Sequence, residues 1–351
     1  MSVSQHLTEI KTLAQDQGYP VLLEGYTSVP QYFPQFCDVR NVPMVIGGEG
    51  QTMAPPAEYP DLPHGHTFAQ VSGLGRPKQI EPGQQFVSTG FEALWTPQGK
   101  VRKLANSMRV TAEHFARRHA NDYVTAELTT AAAEWGKGFA AEKDQIVADF
   151  LQKGTLSAGD ASVFQNRYAG RMTGVTDGLI YDSKAFFATD HPQKPGSATT
   201  YANLTVSADL TEANWATQRR LIESTNAKDA KGNRIIIKPN TLVTGTAAIA
   251  DTAERLLSAD RKIGTNNNDP NLAQASRSGF IHIKNPYLTD DDDAWWVCER
   301  NKGLMVIDSG EPQMDVTFDP DTQTILIQVW CYFLVMVVDW RYWACANKAA
   351  S

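Results

Sequence analysis

Histidine and carboxylate side chains are the groups with which this chain could bind a metal ion or transfer a proton. They occur in four short groups: His64 and His66 around one glycine, His114 and His119 around two arginines, Asp190 beside His191, and the aspartate run 290–293. Both kinds of chemistry need a particular spacing of ligands or proton carriers, so the spacing decides what these groups can do.

None of the four groups has the spacing of a known site. The first histidine pair lies among prolines with no nearby cysteine or carboxylate other than Asp61, and the second pair, five residues apart, does not share a helical face. The aspartate run lacks the alternating ligands and the glycine of a calcium loop. A turn before Pro192 accounts for the Asp190–His191 pair. Phosphate-binding glycine loops and a hydrolase nucleophile elbow are also absent from the sequence. We therefore predict no catalytic residue, no metal site and no cofactor.

The composition is that of a globular protein without an electropositive surface. The 351 residues are 42% hydrophobic and 20% charged, with a formal net charge of −7. This balance does not favour a nucleic-acid-binding surface. The four cysteines are scattered without a C-x-x-C pair, which predicts buried free thiols in a reducing compartment. The N-terminal residues lack the apolar run of a signal peptide.

The most apolar stretch of the chain lies near its end. Residues 325–338 contain a single polar side chain, Gln328. The run is shorter than the roughly 20 residues that a membrane helix needs, and it is rich in the β-branched and aromatic residues that strands favour. It therefore predicts one long strand over 324–338, buried on both faces inside a sheet.

Two segments near the N-terminus cannot form a core by themselves. Residues 19–65 are rich in proline, which blocks helices and inner strands, yet they carry four aromatic anchors: Tyr26, Tyr32, Phe33 and Phe36. Residues 66–107 have the pattern of a long β-hairpin with a broad polar tip, and a lone hairpin is marginal in water. Both segments are expected to pack against another domain or another subunit.

One long amphipathic helix is predicted over residues 121–153, stopped by Gly154. Its predicted core residues are Leu128, Trp135, Phe139, Ile146 and Phe150. Shorter helices are predicted over 210–225, with Thr211 as cap, and over 246–260. Strand patterns lie between these helices and near the end of the chain, so the fold class is mixed α+β.

This order of elements resembles the major capsid proteins of tailed bacteriophages, which have the Hong Kong 97-type fold. The branch that it resembles most is the Mu-like major head subunit. Four stretches carry the resemblance: SMRVTAEHFARRHANDYV, AFFATDHP, IIIKPNTLVTGTAAIADTAERLL and VMVVDWRYW.

The resemblance implies a division of the chain into five parts. They are an N-terminal arm (1–57), an extended β-hairpin loop (58–107), a peripheral domain with its spine helix (108–228), an axial domain (229–324), and a return strand of the peripheral domain (325–351). In this family the arm and the extended loop lie across neighbouring subunits. The implied contact residues are the arm aromatics and, at the loop tip, Arg76, Pro77, Lys78, Glu81 and Pro82.

The implied function is structural: a major capsid protein, not an enzyme, that self-assembles from hexamers and pentamers into an icosahedral head. Such a head encloses double-stranded DNA without sequence-specific binding and without a membrane. Because only the arm precedes the hairpin, we expect a separate scaffold or none. A portal is a further expected partner, and a decoration protein is left open. Assembly is expected in the bacterial cytoplasm, and the mature protein is expected in the virion.

Two alternatives remain open at the level of sequence. An encapsulin-like nanocompartment shell shares the fold but stores a cargo enzyme. A soluble α+β enzyme would require Asp190, His191 and the aspartates at 290–293 to converge in space.

Overall fold

The structure is a computed structural model that describes residues 12, 14–41, 65–67, 70, 94–95, 97–100, 102–111, 120–155, 180–261, 270–274, 278–289, 293–319 and 324–348. Helices and strands are both present, and the strands form two five-stranded sheets. None of the described helices is long and apolar enough to span a membrane.

Four α-helices are described: α1 (Tyr19–Ser28), α2 (Ala120–Gln152), α3 (Glu212–Arg220) and α4 (Ala248–Ser258). Helix α2 is the predicted spine helix, and its bounds agree with the prediction to within one residue. At 1.5 Å per residue it is about 50 Å long. Helix α3 begins where the sequence places its cap, since the Thr211 hydroxyl accepts a hydrogen bond from the Asn214 N–H at 3.2 Å.

The first sheet is built around the predicted terminal strand. Its strands are β1 (Asp38–Asn41), β4 (Arg102–Thr111), β11 (Leu304–Asp308), β12 (Gln313–Asp319) and β13 (Thr324–Val337). Strand β13 pairs antiparallel with β12 and β4 along its first part and with β11 along its last part. Side chains of its first half alternate between buried and half-buried, whereas residues 331–337 are buried on both faces.

The second sheet has the strand order β7–β14–β10–β8–β9. These strands are β7 (Leu204–Thr205), β8 (Thr241–Thr244), β9 (Ile281–Lys284), β10 (Trp295–Cys298) and β14 (Trp343–Ala346). One face packs with the C-terminal half of α2 and with the first sheet in the largest core cluster, which includes Phe150, Trp296 and Val335. The other face packs on α3 and α4 through residues such as Trp215 and Leu256. Two short pairs, β2 (Gly65–Thr67) with β3 (Gln98–Lys100) and β5 (His191–Pro192) with β6 (Thr200–Tyr201), lie outside the two sheets.

The predicted domain boundary at residue 324 does not separate the two sheets. Strands β11 and β12, assigned from sequence to an axial domain, belong to the first sheet because short connections bring them back beside β13. Strand β14, assigned to the return strand, belongs to the second sheet. A 3₁₀ turn (Trp340–Tyr342) carries the chain from one sheet to the other.

The proline-rich arm also differs from its prediction. Residues 14–28 are helical, because Gly18 has right-handed helical backbone angles and Pro20 lies in the first turn of α1, where proline is tolerated. Helix α1 packs on α2 at a very short separation. A Cβ at Gly136 would lie 2.2 Å from the Leu22 carbonyl oxygen, and one at Gly25 would lie 2.4 Å from the Ala133 carbonyl oxygen. These two glycines therefore let the backbones of the two helices touch.

The glycine contact predicts different effects for two neighbouring substitutions. Gly136→Ala should destabilise the chain by about 1–3 kcal/mol, since the added methyl group forces α1 away from α2. Gly138→Ala is the matched control, because a Cβ there meets nothing within 4 Å. It should leave stability unchanged or raise it by up to about 1 kcal/mol. Urea unfolding measures both, and equal stabilisation by the two variants would contradict the close helix contact.

Candidate functional site

The base of the extended hairpin is the described part of the predicted assembly surface. Strands β2 and β3 pair antiparallel over three positions. Further along, the Gln70 N–H donates to the Trp95 carbonyl and the Leu94 N–H donates to the Gln70 carbonyl, both at 2.9 Å. The two strands of the hairpin thus run side by side at its base. The predicted tip contacts lie outside the described residues and stay predictions: Arg76, Pro77, Lys78, Glu81 and Pro82.

The hairpin is anchored to the body of the chain by strand β4. This strand pairs with β13 over ten consecutive positions, from Arg102 opposite Phe333 to Thr111 opposite Thr324. The Gln70 side chain donates a hydrogen bond to the Val338 carbonyl. The Trp95 ring lies 5.5 Å from the Tyr181 ring. The hairpin base is therefore joined directly to the central strand of the first sheet.

The arm aromatics are placed against their own chain. Phe33 and Phe36 are at most 1% exposed and belong to the main core, and Tyr26 is 9% exposed between α1, α2 and β13. Their predicted contact with a neighbouring subunit stays a prediction, and these three side chains have almost no exposed surface within the subunit. Tyr32 is half-buried, so its predicted contact is untested.

The spine-helix core is largely as predicted. Leu128, Phe139, Ile146 and Phe150 are buried, and Trp135 is half-buried at the edge of two core clusters. Two charged residues of the same helix, which the apolar stripe did not indicate, are completely buried: Lys143 and Asp144. Each one holds a different part of the chain against α2.

Lys143 makes three hydrogen bonds inside the protein. Its ammonium group donates to Asp308 at 2.7 Å, to the Tyr26 hydroxyl at 2.8 Å and to the Gly310 carbonyl at 2.8 Å. Burial by itself would lower the pKa of Lys143, but the charge of Asp308, with smaller effects of Cys331 and Tyr26, raises this pKa above its ordinary value. The charged lysine is thus fully paired and joins α2, α1 and the end of β11.

Asp144 accepts hydrogen bonds from the backbone. The N–H groups of Tyr32 and Phe33 donate to its carboxylate at 3.0 and 2.9 Å. This contact fixes the start of the short 3₁₀ turn (Phe33–Gln35) and the aromatic side chains in it. Burial raises the pKa of Asp144 to about 6, while the two backbone donors act in the opposite direction.

His191 belongs to a buried hydrogen-bond network, whereas its sequence context predicted only a turn. Its Nδ1 lies 2.7 Å from Asp182 Oδ2, and its Nε2 lies 3.0 Å from Asn203 Oδ1. Its ring stacks on Trp340 with centroids 4.2 Å apart. Because the side chains of His191 and Asp182 are 0% exposed, no substrate can reach them. The network is structural, and the only sequence signal for it is the nine-residue spacing of Asp182 and His191.

The remaining chemical candidates do not form a site within the described ranges. Asp190 is exposed and forms an ion pair with Lys184, whereas His191 is completely buried. Among the residues that the structure describes, no three His, Cys, Asp or Glu side chains could share a metal ion. His64, His114, His119 and the aspartates 290–292 lie outside those ranges. The four cysteines are free and buried, as predicted.

The lysine network predicts a specific cost of removing one partner. Lys143→Met should destabilise the chain by about 3–5 kcal/mol, because it leaves the Asp308 carboxylate buried without a cation. The double variant Lys143→Met/Asp308→Leu should recover part of this loss. Lys137→Met is the control on the same helix, since Lys137 forms only an exposed pair with Glu134 and should cost under about 1 kcal/mol. Urea unfolding measures all three, and a Lys143→Met variant as stable as the control would refute the anchoring role.

The raised pKa of Asp144 predicts a pH dependence with a defined sign. An unfolded aspartate has a pKa of about 4, so the folded chain binds the extra proton between about pH 4 and pH 6. The free energy of unfolding should therefore fall as the pH rises through this window, by up to about 3 kcal/mol, and should stay level above it. Asp144→Asn removes this contribution. The difference in unfolding free energy between wild type and variant, measured from pH 4 to pH 8, should decrease up to pH 6. A difference independent of pH would contradict the raised pKa.

Comparison with known proteins identifies the family. A family model described as phage capsid protein matches residues 96–346, which is more than half of the chain. No curated protein matches the chain. Among solved structures, the capsid of Ralstonia phage GP4 is similar with a TM-score of 0.52 and 10% sequence identity, over 92% of this chain and 91% of that chain. The capsid of Cyanophage P-SCSP1u is similar with a TM-score of 0.49 and 12% identity, over 92% and 89%.

These findings confirm the predicted fold class and its resemblance to Hong Kong 97-type capsids, while the Mu-like branch stays a prediction. The region matched by the family model begins at the hairpin base and ends with β14, so it includes the spine helix and nearly all of both sheets. The chain belongs to the phage capsid protein family.

Proposed function

We propose that this chain is a major capsid protein, which self-assembles into the icosahedral head shell around the double-stranded DNA genome of a tailed phage or prophage. The observation that carries the proposal is the family match over residues 96–346. The similarity to the Ralstonia phage GP4 capsid supports the fold on which such a shell would be built.

The way the hairpin joins the body also supports an assembling protein. The hairpin base is attached through β4 and through contacts of Gln70 and Trp95. The segment between the paired strands is polar and rich in turn residues, with a composition that cannot fill a core. We expect a neighbouring copy to pack against a hairpin of this composition, because a two-stranded hairpin alone is marginal in water. In a closed shell many symmetric copies make several modest contacts at once, which together become strong.

The charge balance supports a container in preference to a DNA-binding protein. A net charge of −7 disfavours tight phosphate contacts, so packaged DNA would remain free to move. The protein would reside in the virion after assembly in the host cytoplasm, as hexamers and pentamers, with a scaffold and a portal as further partners. It would need no cofactor.

The buried polar clusters support a structural role in preference to catalysis. Lys143, Asp144 and His191 are each 0% exposed and are occupied by partners within the chain. A catalytic group needs a face open to substrate. These residues instead fix the positions of helices and strands, and we assign the chain no enzymatic activity.

Assembly of the purified chain is the direct test. Negative-stain electron microscopy and sedimentation of the expressed chain, alone and with the neighbouring gene products of its locus, should show closed shells or capsomer rings. Particles from the native source should contain nuclease-protected DNA. A cargo enzyme in place of DNA would indicate an encapsulin-like compartment, and a monomer or dimer under every condition would refute the proposal.

A hairpin deletion makes the same test specific. Removing residues 76–83 should leave thermal unfolding unchanged, because the hairpin base and β4 are retained. It should reduce the yield of shells by at least about tenfold, since each subunit loses one set of repeated contacts. A deletion variant that forms shells at the wild-type yield would remove the hairpin from the assembly surface.

A further inference from the structure

The outer face of the first sheet, on the side opposite the spine helix, presents an exposed surface of three strands. Residues directly opposite each other in paired strands point to the same face. Ile325, Ile327, Val329 and Cys331 of β13 face the helices. The alternate residues Leu326, Gln328 and Trp330 therefore point outward, and so do the residues of β4 and β12 paired with them.

Charge on this outer face is divided between the two flanking strands. On this face strand β4 carries the basic residues Lys103 and Arg109 and no acidic residue. Strand β12 carries Asp315 and Asp319 and has no basic residue, and Glu311 comes just before it. The middle strand, β13, is uncharged. The surface is thus basic along one side and acidic along the other.

The basic side chains on β4 are exposed to solvent. Lys103 and Arg109 are both exposed, and their pairing with Tyr332 and Leu326 places them on the outer face. The Lys103 ammonium lies 4.8 Å from the centre of the Trp330 ring, which keeps this charge on the outer face. Lys103 and Arg109 are six residues apart, so about 20 Å of strand separates them.

The acidic side is equally accessible. Asp315 is exposed, lies in the same cross-strand row as Gln328 and Ser107, and accepts a hydrogen bond only from the next backbone N–H within the described part of the chain. Glu311 is exposed just before the start of β12, where its charge also acts on the Tyr19 hydroxyl of α1. Two strand spacings separate the flanks, about 10 Å, so each flank can meet a neighbour independently of the other.

We propose that the β4 flank of one copy binds the β12 flank of the next copy around a capsomer, with Lys103 and Arg109 facing Glu311 and Asp315. This inference rests on the proposed function, which supplies the second copy as the occupant. The two flanks differ in sign and lie on opposite sides of one sheet, so the contact is head-to-tail. A head-to-tail contact closes into a ring when its rotation permits, whereas a two-fold contact would bring like charges together.

Charge complementarity of this kind governs both the orientation in which two copies meet and the rate at which they associate. The β4 flank of one copy attracts the β12 flank of another, whereas two β4 flanks or two β12 flanks repel each other. Encounters in the wrong orientation are therefore suppressed. Because the charges are exposed, salt screens them, and the rate of capsomer formation should fall as ionic strength rises. The hairpin and the flank contact are then separate parts of one assembly surface.

A charge-reversal series tests the contact. The variants are Lys103→Glu/Arg109→Glu, Glu311→Lys/Asp315→Lys, and the combination of all four. Each double variant should lower the yield of shells or rings by about tenfold at moderate salt, since like charges then face each other. The combined variant restores opposite charges with the two flanks exchanged, so its yield should return to within about twofold of wild type.

The control is Arg220→Glu/Lys238→Glu, which makes the same change in net charge as Lys103→Glu/Arg109→Glu at two exposed positions away from the first sheet. It should assemble as wild type does. Thermal unfolding of each variant verifies that the subunit is folded. If wild type and both double variants assemble equally well, the flank contact is refuted while the proposed function stands. A folded combined variant that fails to assemble also refutes it. If wild type itself never assembles, the proposed function fails and the inference falls with it.

Discussion

The buried ion pair between Lys143 and Asp308 is the constraint on which the rest of the fold depends. A lysine in the middle of a protein is tolerated only when all of its donors are used. Here they are used by three separate parts of the chain: Tyr26 on α1, Asp308 at the end of β11 and the Gly310 carbonyl before β12. An apolar side chain could fill the same volume in several arrangements. The charge accepts only the arrangement that brings all three partners together, so it selects the register of α1 and of the first sheet against the spine helix.

The neighbouring Asp144 extends the same principle to the arm. Its carboxylate holds the backbone at Tyr32 and Phe33, and this places Phe33 and Phe36 in the main core. Residues 14–41 therefore include part of the subunit body, and the hairpin and the flanks of the first sheet are the proposed assembly surface. Burying these aromatics within the chain leaves a subunit that can fold before it meets a neighbour.

How much could be predicted from sequence depends on how regular each signal is. The spine helix and strand β13 were predicted almost to the residue, because a long apolar stripe and a long apolar run leave few alternatives.

The arm helix was missed because proline density suggested an irregular chain, although Pro20 lies in the one helical turn that tolerates it. The pairing of β11 and β12 with β13 across residue 324 was not predicted, because sheet membership depends on strand pairing, which periodicity does not report. Lys143 and Asp144 were missed as buried groups because a charged residue within an amphipathic pattern normally indicates the solvent face. His191 was missed because a turn before Pro192 explained its position, and only its buried partners show its role. The loop-tip contacts remain predictions.

The position of the last strands has a consequence for how the chain is made. Strand β13 is central in the first sheet, and β14 is inserted between β7 and β10 in the second. Both sheets therefore lack an interior strand until β13 and β14, which follow all of their partner strands along the chain, are available. During translation these two strands leave the ribosome after the strands they pair with, so a nascent chain without them cannot present finished sheets to a partner. Only subunits that contain both strands have the rigid surfaces that a growing particle can incorporate.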